Sequence, residues 1–192
     1  AGMDRRSWIF SAAALAFAGA PPARAARMTV EGARIDVEMV GEASEDTLAL
    51  LPRWIEQSAE AVRLYYGKFP VPALSLKIVF SRGEGVRGGQ TMPGDIPEIR
   101  MRVGSRATSR QFMQADWVLV HEMIHLAFPW MNGAHNWMAE GLAVYVESIA
   151  RVQAGHLPEQ QIWKDFMASM PKGLPQAGDE GIDVTDTWGR TY

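Results

Sequence analysis

Residues 112–128 constrain the fold most strongly, because this stretch is mostly apolar and yet carries two histidines and a glutamate. A helix that is apolar around most of its circumference belongs in the middle of a domain. His121 and His125 are four residues apart, so both project from one face of such a helix, and Glu122 lies beside them. The sequence therefore predicts one buried helix that presents three ionisable side chains to an internal site.

The spacing of the two histidines suits a single metal ion. Two imidazoles on one helix face can reach one zinc ion at about 2.0–2.1 Å. Glu122 is placed to take a proton from a zinc-bound water, and the H-E-x-x-H pattern is the signature of zinc metallopeptidases. Because the chain contains no cysteine, histidine and carboxylate side chains must supply the zinc ligands.

Composition sets the class of protein and of partner. The chain has 192 residues, 47% of them hydrophobic, and a net charge of −3, which suits one soluble globular domain or one domain plus a small lobe. The mildly acidic balance and the scattered arginines do not resemble a nucleic-acid binder. We expect a peptide or protein substrate and no nucleic acid. The oligomeric state cannot be predicted from these features.

The first residues read as an export signal. The first two residues look like a cloning scar, Arg5 and Arg6 give a basic start, residues 8–20 form an apolar run, and Ala25 ends a small-x-small cleavage site. The run is shorter than the about 20 residues that a transmembrane helix needs. The paired arginines resemble a bacterial twin-arginine signal. An ordinary secretory signal and a retained anchor are the alternatives.

Periodicity predicts the remaining elements. Alternation of apolar and polar residues predicts strands within residues 28–40, 74–80 and 99–103. Helical spacing predicts a helix over residues 44–66, with Ser44 as its cap, Gly67 as its stop, and Pro52 either breaking its first part or marking the start of the main helix. Pro129 should end the central helix. Further helices are predicted over residues 137–152 and 158–170, followed by a tail rich in Gly, Pro and Asp.

Residues 81–97 are predicted to be irregular because they contain five glycines and two prolines. Gly83, Gly85 and Gly88 form a G-x-G-x-x-G pattern after a predicted strand. A dinucleotide site would require a helix to begin there, and the glycines and prolines that follow argue against one. We interpret the segment as a glycine-rich loop that lines a substrate cleft.

A catalytic zinc site needs a third protein ligand. The metzincin pattern would place Gly at position 128 and His at position 131, where this chain has Phe128 and Met131. The best candidate is Glu140, at the start of an apolar helix that can cross the first one antiparallel. His135, in the preceding turn, is the competing candidate.

The segment around Glu140 carries a family resemblance. Residues 137–143, W-M-A-E-G-L-A, with Tyr145 and Glu147 beyond them, resemble the W-x-x-E-G-h-A segment of gluzincins of the aminopeptidase-N and glycyl-aminopeptidase type, in the peptidase MA-like superfamily. The resemblance implies an α+β fold with a thermolysin-like zincin catalytic domain, in which a small mixed sheet packs on the H-E-x-x-H helix and a mainly helical part follows. It also implies zinc ligands and a general base, namely His121, His125 and Glu140 as ligands and Glu122 as base.

The chain departs from that family in three places. The gap between His125 and Glu140 is shorter than in classical aminopeptidase N, and the G-x-M-E-N strand that grips a peptide amino terminus is missing. Residues 88–92 are at best a distant counterpart of that strand. Val144 stands where thermolysin-like enzymes place an acid that orients a zinc-binding histidine. Asp116 and Glu147 are candidates for that role, with solvated helix residues as the simpler reading of both.

In the gluzincins that this chain resembles, a tyrosine beyond the third ligand donates a hydrogen bond to the oxyanion. The resemblance therefore implies that the oxyanion donor lies toward the end of the chain. Tyr145, Tyr192 and His156 are the candidates, and we assign the role to Tyr192. The aromatic run at residues 186–192 looks cut short. We therefore expect the chain to be part of a longer protein.

These features predict that residues 1–25 are a cloning scar and export signal and that residues 26–192 form a zincin-type catalytic domain. The expected function is zinc-dependent peptide hydrolysis in the periplasm or outside the cell, with no stable membrane span after signal removal. Endopeptidase and aminopeptidase activity both stay open. A zinc-retaining scaffold without turnover and an anchored envelope protein are the alternatives.

Overall fold

A mixed β-sheet organises the first half of the chain in the computed structural model, which describes residues 9–10, 24–131 and 133–184. The strands are β1 (Ile9–Phe10), β2 (Arg24–Val30), β3 (Ala33–Val40), β4 (Ala73–Ser81), β5 (Val86–Met92) and β6 (Glu98–Gly104). The strand order is β1-β2-β3-β4-β6-β5. Strands β3, β4 and β6 are parallel to one another, whereas β2 pairs antiparallel with β1 and β3, and β5 pairs antiparallel with β6.

Together with this sheet, the described residues form five α-helices, and the predicted α+β class is confirmed. They are α1 (Glu45–Tyr66), α2 (Ser109–Gln114), α3 (Asp116–Ile124), α4 (Asn136–Gln153) and α5 (Glu159–Ser169). Short 3₁₀ turns lie at His125–Ala127, Gly133–His135, Met170–Gly173 and Ile182–Val184. Within the described ranges, no helix has both the length and the apolar character required to cross a bilayer.

The core lies between one face of the sheet and helices α1 and α3. Alternate residues of β3, β4 and β6 point to this face, as the sequence pattern predicted. Helices α1 and α3 also contact each other and α4, so the core continues into the helical layer. The large buried side chains of these three strands are Ile35, Val37, Met39, Leu74, Leu76, Ile78, Phe80, Ile99, Met101 and Val103.

Helix α1 confirms its predicted cap and stop. The Ser44 side chain accepts a hydrogen bond from the Thr47 backbone N–H, and Gly67 ends the helix in the left-handed conformation with φ of 75°. The expectation that Pro52 breaks or starts this helix is wrong, because the helix runs continuously through it. Leu51 and Trp54, on either side of the proline, are buried, and this packing outweighs the local cost of Pro.

The predicted strand at residues 28–40 is a hairpin instead. β2 and β3 are joined by Glu31 and Gly32, which have φ of 43° and 86°. Both residues are left-handed, as a two-residue hairpin turn requires, and glycine supplies the second at little cost. β2 starts at Arg24, so it includes residues on both sides of the predicted cleavage position after Ala25. Export and cleavage stay predictions.

The prediction of an irregular segment at residues 81–97 is wrong in part, because β5 lies within it. This strand pairs antiparallel with β6 and forms one edge of the described sheet. Gly83 and Gly85 precede the strand, and no helix begins there, so the dinucleotide pattern lacks its required context.

The single central helix predicted over residues 112–128 is divided. Ala115, with φ of −116° and ψ of 23°, separates α2 from α3. The division lets Phe112 pack on Trp54, with ring centroids 4.9 Å apart, while α3 packs on the sheet. The helical path then tightens to a 3₁₀ turn at His125 and ends before Pro129, as predicted.

Candidate metal centre

Helices α3 and α4 bring three potential metal ligands together. His121 lies in the last turn of α3, His125 begins the 3₁₀ turn that follows, and Glu140 lies near the start of α4. One ligand atom from each of these side chains lies within 4.8 Å of those from the other two. The three predicted ligand residues are therefore placed as a group, although they come from two separate segments of the chain.

The distances among the three ligand atoms fit a zinc ion. Nε2 of His121 lies 3.0 Å from Oε2 of Glu140 and 3.2 Å from Nε2 of His125. Nε2 of His125 lies 3.5 Å from Oε2 of Glu140. Ligand atoms about 2.0–2.1 Å from a tetrahedral zinc ion are about 3.4 Å from one another. The donor set is two imidazoles and a carboxylate, the set that catalytic zinc sites of the thermolysin type use.

The site is mostly shielded from water, which strengthens its electrostatics. The side chains of His121, His125 and Glu140 are 7%, 16% and 15% exposed. Burial opposes the ionised form of Glu140, but hydrogen bonds from the two histidines outweigh burial and hold its pKa below the ordinary value. Trp117, one turn before His121, sets its ring edge-on to the imidazole, with centroids 6.2 Å apart.

Glu122 lies beside the ligand group and is held by strand β5. The Thr91 hydroxyl oxygen is 2.7 Å from Oε2 of Glu122 and 2.8 Å from the Glu122 carbonyl oxygen, so its one proton is donated to one of them at a time. Burial raises the pKa of Glu122, partly offset by the Thr91 hydrogen bond. A Cβ at Gly89 would lie 2.5 Å from Cγ of Glu122. Only a glycine fits at this position without displacing the carboxylate.

An open cleft of about 530 Å³ adjoins these residues. Glu122 and all three ligand residues line it. The rest of its wall comes from the start of β4, the end of β5 with the loop after it, and the segment between α3 and α4. The expectation that the glycine-rich segment lines a cleft is confirmed, since Gly89, Gln90, Thr91 and Gly94 are part of this wall.

The other candidates from the sequence lie elsewhere. His135 is outside the ligand group, with Nδ1 3.1 Å from Oδ1 of Asp183. Tyr145 and His156 are absent from the cleft wall; Tyr145 stacks on Phe166. Tyr192 lies outside the described residues.

Asp116 and Glu147 are not solvated helix residues, so the simpler reading of both is wrong. Nη2 of Arg151 lies 2.7 Å from Oδ1 of Asp116, and Nη1 lies 3.2 Å from Oε2 of Glu147. Nδ1 of His156 is 3.3 Å from the other oxygen of Asp116. Burial raises the pKa of Glu147, and the charges of Arg151 and His121 oppose that rise. Of the two acids, Glu147 is thus coupled electrostatically to His121, one of the three potential ligands.

Sequence reasoning missed Thr91, Gly89 and Arg151. Thr91 and Gly89 belong to residues 88–92, which were singled out only as a distant counterpart of a substrate-binding strand. Arg151 follows Glu147 by four residues on one helix, a spacing that favours an ion pair. Its second partner, Asp116, is 35 residues away and gives no local signal.

Comparison with known proteins gives a likeness of fold. No family model matches the sequence, and no curated protein matches it. Among solved structures, an aminopeptidase N family protein from Idiomarina loihiensis is similar, with a TM-score of 0.50 and 10% sequence identity. The match covers 79% of this chain and 28% of that one. The chain thus spans little more than a quarter of that protein's length, and the likeness concerns the fold alone.

Proposed function

We propose that this protein is an exported zinc-dependent peptidase with a thermolysin-like domain of the gluzincin type. One observation carries the proposal: His121, His125 and Glu140 meet at zinc-ligand spacing beside Glu122, at the wall of an open cleft. The likeness to an aminopeptidase N family fold agrees with it. The W-x-x-E-G-h-A resemblance places Glu140 in the same role that its position in the structure supports.

The residues of the site suit metal-assisted amide hydrolysis. Zinc held there would supply Lewis-acid chemistry, acidifying a water molecule and polarising the scissile carbonyl. Glu122 accepts the proton of the attacking water and passes it to the leaving amine. Thr91 orients the carboxylate through its hydroxyl group.

The edge of β5 offers a way to bind an extended peptide. Gly89 and Thr91 lie on the side of β5 that faces α3, because their partners on β6, Met101 and Ile99, are buried on that side of the sheet. The outer edge of β5 can therefore pair with a substrate strand at the level of Glu122. Main-chain pairing of this kind would hold a peptide bond next to the ligand group with little demand on its side chains.

The test compares the protein with Glu122→Gln and with Glu56→Gln, an exposed glutamate of α1, as matched control. The wild type and the control should bind about one zinc ion and cleave a mixed peptide library. Glu122→Gln should keep the zinc and lose about a hundred- to ten-thousandfold of the rate. Zinc binding without cleavage by the wild type would instead support the non-catalytic zinc-retaining protein. Joint loss of zinc and cleavage in Glu122→Gln would refute the role as base.

Two parts of this proposal need separate measurements. Amino-terminal sequencing of the exported protein should find Ala26 first if the signal is removed, and an intact amino terminus would support the anchored alternative. The assignment of Tyr192 as oxyanion donor is tested by Tyr192→Phe in a longer form of the protein. An unchanged rate would remove that assignment.

A further inference from the structure

Two adjoining loops at the far end of the sheet concentrate positive charge. One loop connects β4 to β5, and the other leads from β6 into α2. They are joined by backbone hydrogen bonds from Gly104 to Gly85 and from Arg106 to Gly83, of 2.8 and 3.0 Å. The arginines on these loops and on the adjacent strand and helix ends are all exposed: Arg82, Arg87, Arg102, Arg106 and Arg110. The arginines are scattered along the sequence, but the fold brings these five to the same end of the sheet.

No ion pair within the described part of the chain involves these five arginines. The contrast is with Arg27, Arg63 and Arg100, which each pair with a carboxylate. Glu84 lies in the same loop, where its Oε2 accepts a hydrogen bond from Gln111. Glu45 and Asp46, at the start of α1, are near the second loop because Ser44 donates its backbone N–H to Ser105. The positive charge exceeds these nearby carboxylates.

Two of the arginines flank the edge of β5 itself. Arg102 is on the outer face of the sheet, since Met101 and Val103 beside it are buried, and it pairs with Gly88 of β5. Nη2 of Arg102 is 3.4 Å from where a Cβ of residue 88 would be. The guanidinium thus lies next to β5 at Gly88. Arg87 is held alongside, donating from Nη2 to the Arg82 carbonyl oxygen at 2.9 Å.

This positive edge continues the proposed peptide-binding edge. Gly89 and Thr91 mark the level of Glu122 along β5. Strand residues are about 3.3 Å apart, so Arg87 lies about 7–13 Å from that level. The loop at the opposite end of β5 carries Asp95, which lines the cleft. An extended peptide on β5 would therefore meet positive charge on one side of the cleaved bond and a carboxylate on the other.

We propose that Arg87 and Arg102 recognise acidic residues of a peptide substrate, about two to five positions from the cleaved bond and on one side of it only. This inference rests on the proposed peptidase function and names its substrate class. Carboxylates suit guanidinium groups because the planar fork of arginine can donate two parallel hydrogen bonds. The remaining arginines extend the field that attracts such a peptide.

Cleavage-site analysis tests the proposal directly. A peptide mixture of natural sequences is digested at low salt by the wild type, by the double variant R87Q/R102Q, and by R53Q, an exposed arginine of α1 used as matched control. The wild type and R53Q should show Asp and Glu enriched on one side of the cleaved bonds. The double variant should still cleave peptides, but its cleavage sites should lack the enrichment of Asp and Glu. No enrichment in the wild type, or the same enrichment in the double variant, would overturn the proposal.

A binding measurement separates this inference from the peptidase proposal. Anisotropy of a fluorescein-labelled, glutamate-rich decapeptide should report binding that is about three- to tenfold weaker in R87Q/R102Q, unchanged in R53Q, and weakened by salt. Arginine-dependent binding without any cleavage by the wild type would reject the peptidase and keep the acidic-peptide site. Equal binding by all variants, with thermal melting showing each folded, would reject the site.

A third measurement distinguishes binding of an acidic peptide from binding of a membrane surface. Vesicles containing phosphatidylglycerol present a negative surface that arginines also bind. Loss of vesicle binding in R87Q/R102Q, together with unchanged peptide binding and unchanged cleavage sites, would assign the arginines to lipid and overturn the proposal. Weak vesicle binding that does not depend on these arginines would support the peptide.

Discussion

Two polar clusters lie between α3 and α4, and they neutralise their buried carboxylates differently. At the carboxyl end of α3, Glu140 faces two histidines, and no Lys or Arg in the described ranges pairs with it. At the amino end of α3, Asp116 and Glu147 share the guanidinium of Arg151. One cluster thus contains its own cation. The other presents donor atoms at a spacing that fits an external one.

This difference indicates that the cluster around Arg151 is structural. Buried carboxylates are costly unless a cation or hydrogen bonds compensate them. Arg151 provides that compensation from within the chain, whereas two histidines compensate Glu140 in an arrangement that also fits an external cation. The comparison predicts that changes in the first cluster alter metal binding, and that changes in the second alter stability.

The largest expected effect comes from Glu140→Ala. Removal of a direct ligand should weaken zinc affinity by more than the about 10–100-fold typical for loss of a ligand's hydrogen-bond partner. Metal analysis after dialysis checks this result. His135→Ala is the control, because His135 is bonded to Asp183 outside the ligand group, and it should keep its zinc. Loss of zinc in His135→Ala with retention in Glu140→Ala would reverse the ligand assignment.

The next effect should come from Arg151→Met. Without the guanidinium, Glu147 would lose its ion pair and Asp116 would keep only His156, so the free energy of unfolding should fall by about 3 kcal/mol. Denaturant unfolding measures this change. Arg27→Met is the matched control, since its pair with Asp36 is exposed and should contribute less than about 1 kcal/mol. Equal destabilisation by both would remove the structural role of this cluster.

A smaller, pH-dependent effect is expected for Asp116→Asn. Burial opposes ionisation of Asp116, but hydrogen bonds and charges from His156 and Arg151 outweigh it and lower its pKa below the usual 3.8. The stability that the ionised group contributes is therefore complete above pH 3.8 and is lost as the pH falls through the lowered folded value.

The measurement for Asp116→Asn is unfolding at pH 7 and pH 3. The variant should be less stable than the wild type by about 1–3 kcal/mol at pH 7, and the difference should shrink at pH 3. A difference that is the same at both pH values would show that the charge of Asp116 contributes nothing. Glu147, whose pKa burial raises, shifts stability in the opposite direction as the pH rises, so it cannot produce this acid loss.

The grouping of three potential metal ligands could be predicted because each residue carries a signal in its own segment. His121 and His125 follow helical spacing, and Glu140 lies in a segment that resembles a known one. The same holds for the cap at Ser44 and the stop at Gly67, where one residue's chemistry decides the conformation. For the two histidines, the cap and the stop, the interactions that matter join residues close in sequence. Glu140 is 19 residues from His121 and was identified from its position on a predicted helix and from that resemblance.

The failures have a different physical origin. β5 was missed because its glycines weaken the alternating pattern, and pairing with β6 rather than propensity holds it in place. The division at Ala115 follows from packing of Phe112 on Trp54, a contact that nothing near Ala115 announces. The link from Thr91 to Glu122 likewise spans 31 residues. Long-range contacts decided all three features.

The ion pair between Arg151 and Asp116 joins the last turn of α4 to the first residue of α3 without using any of the three potential metal ligands. The two helices that carry the ligands are thus fixed to each other by the polypeptide alone, unlike those small domains that fold only around zinc. For the zinc protein proposed above, folding would not require the ion. The chain would then fold in one compartment and could acquire zinc in another.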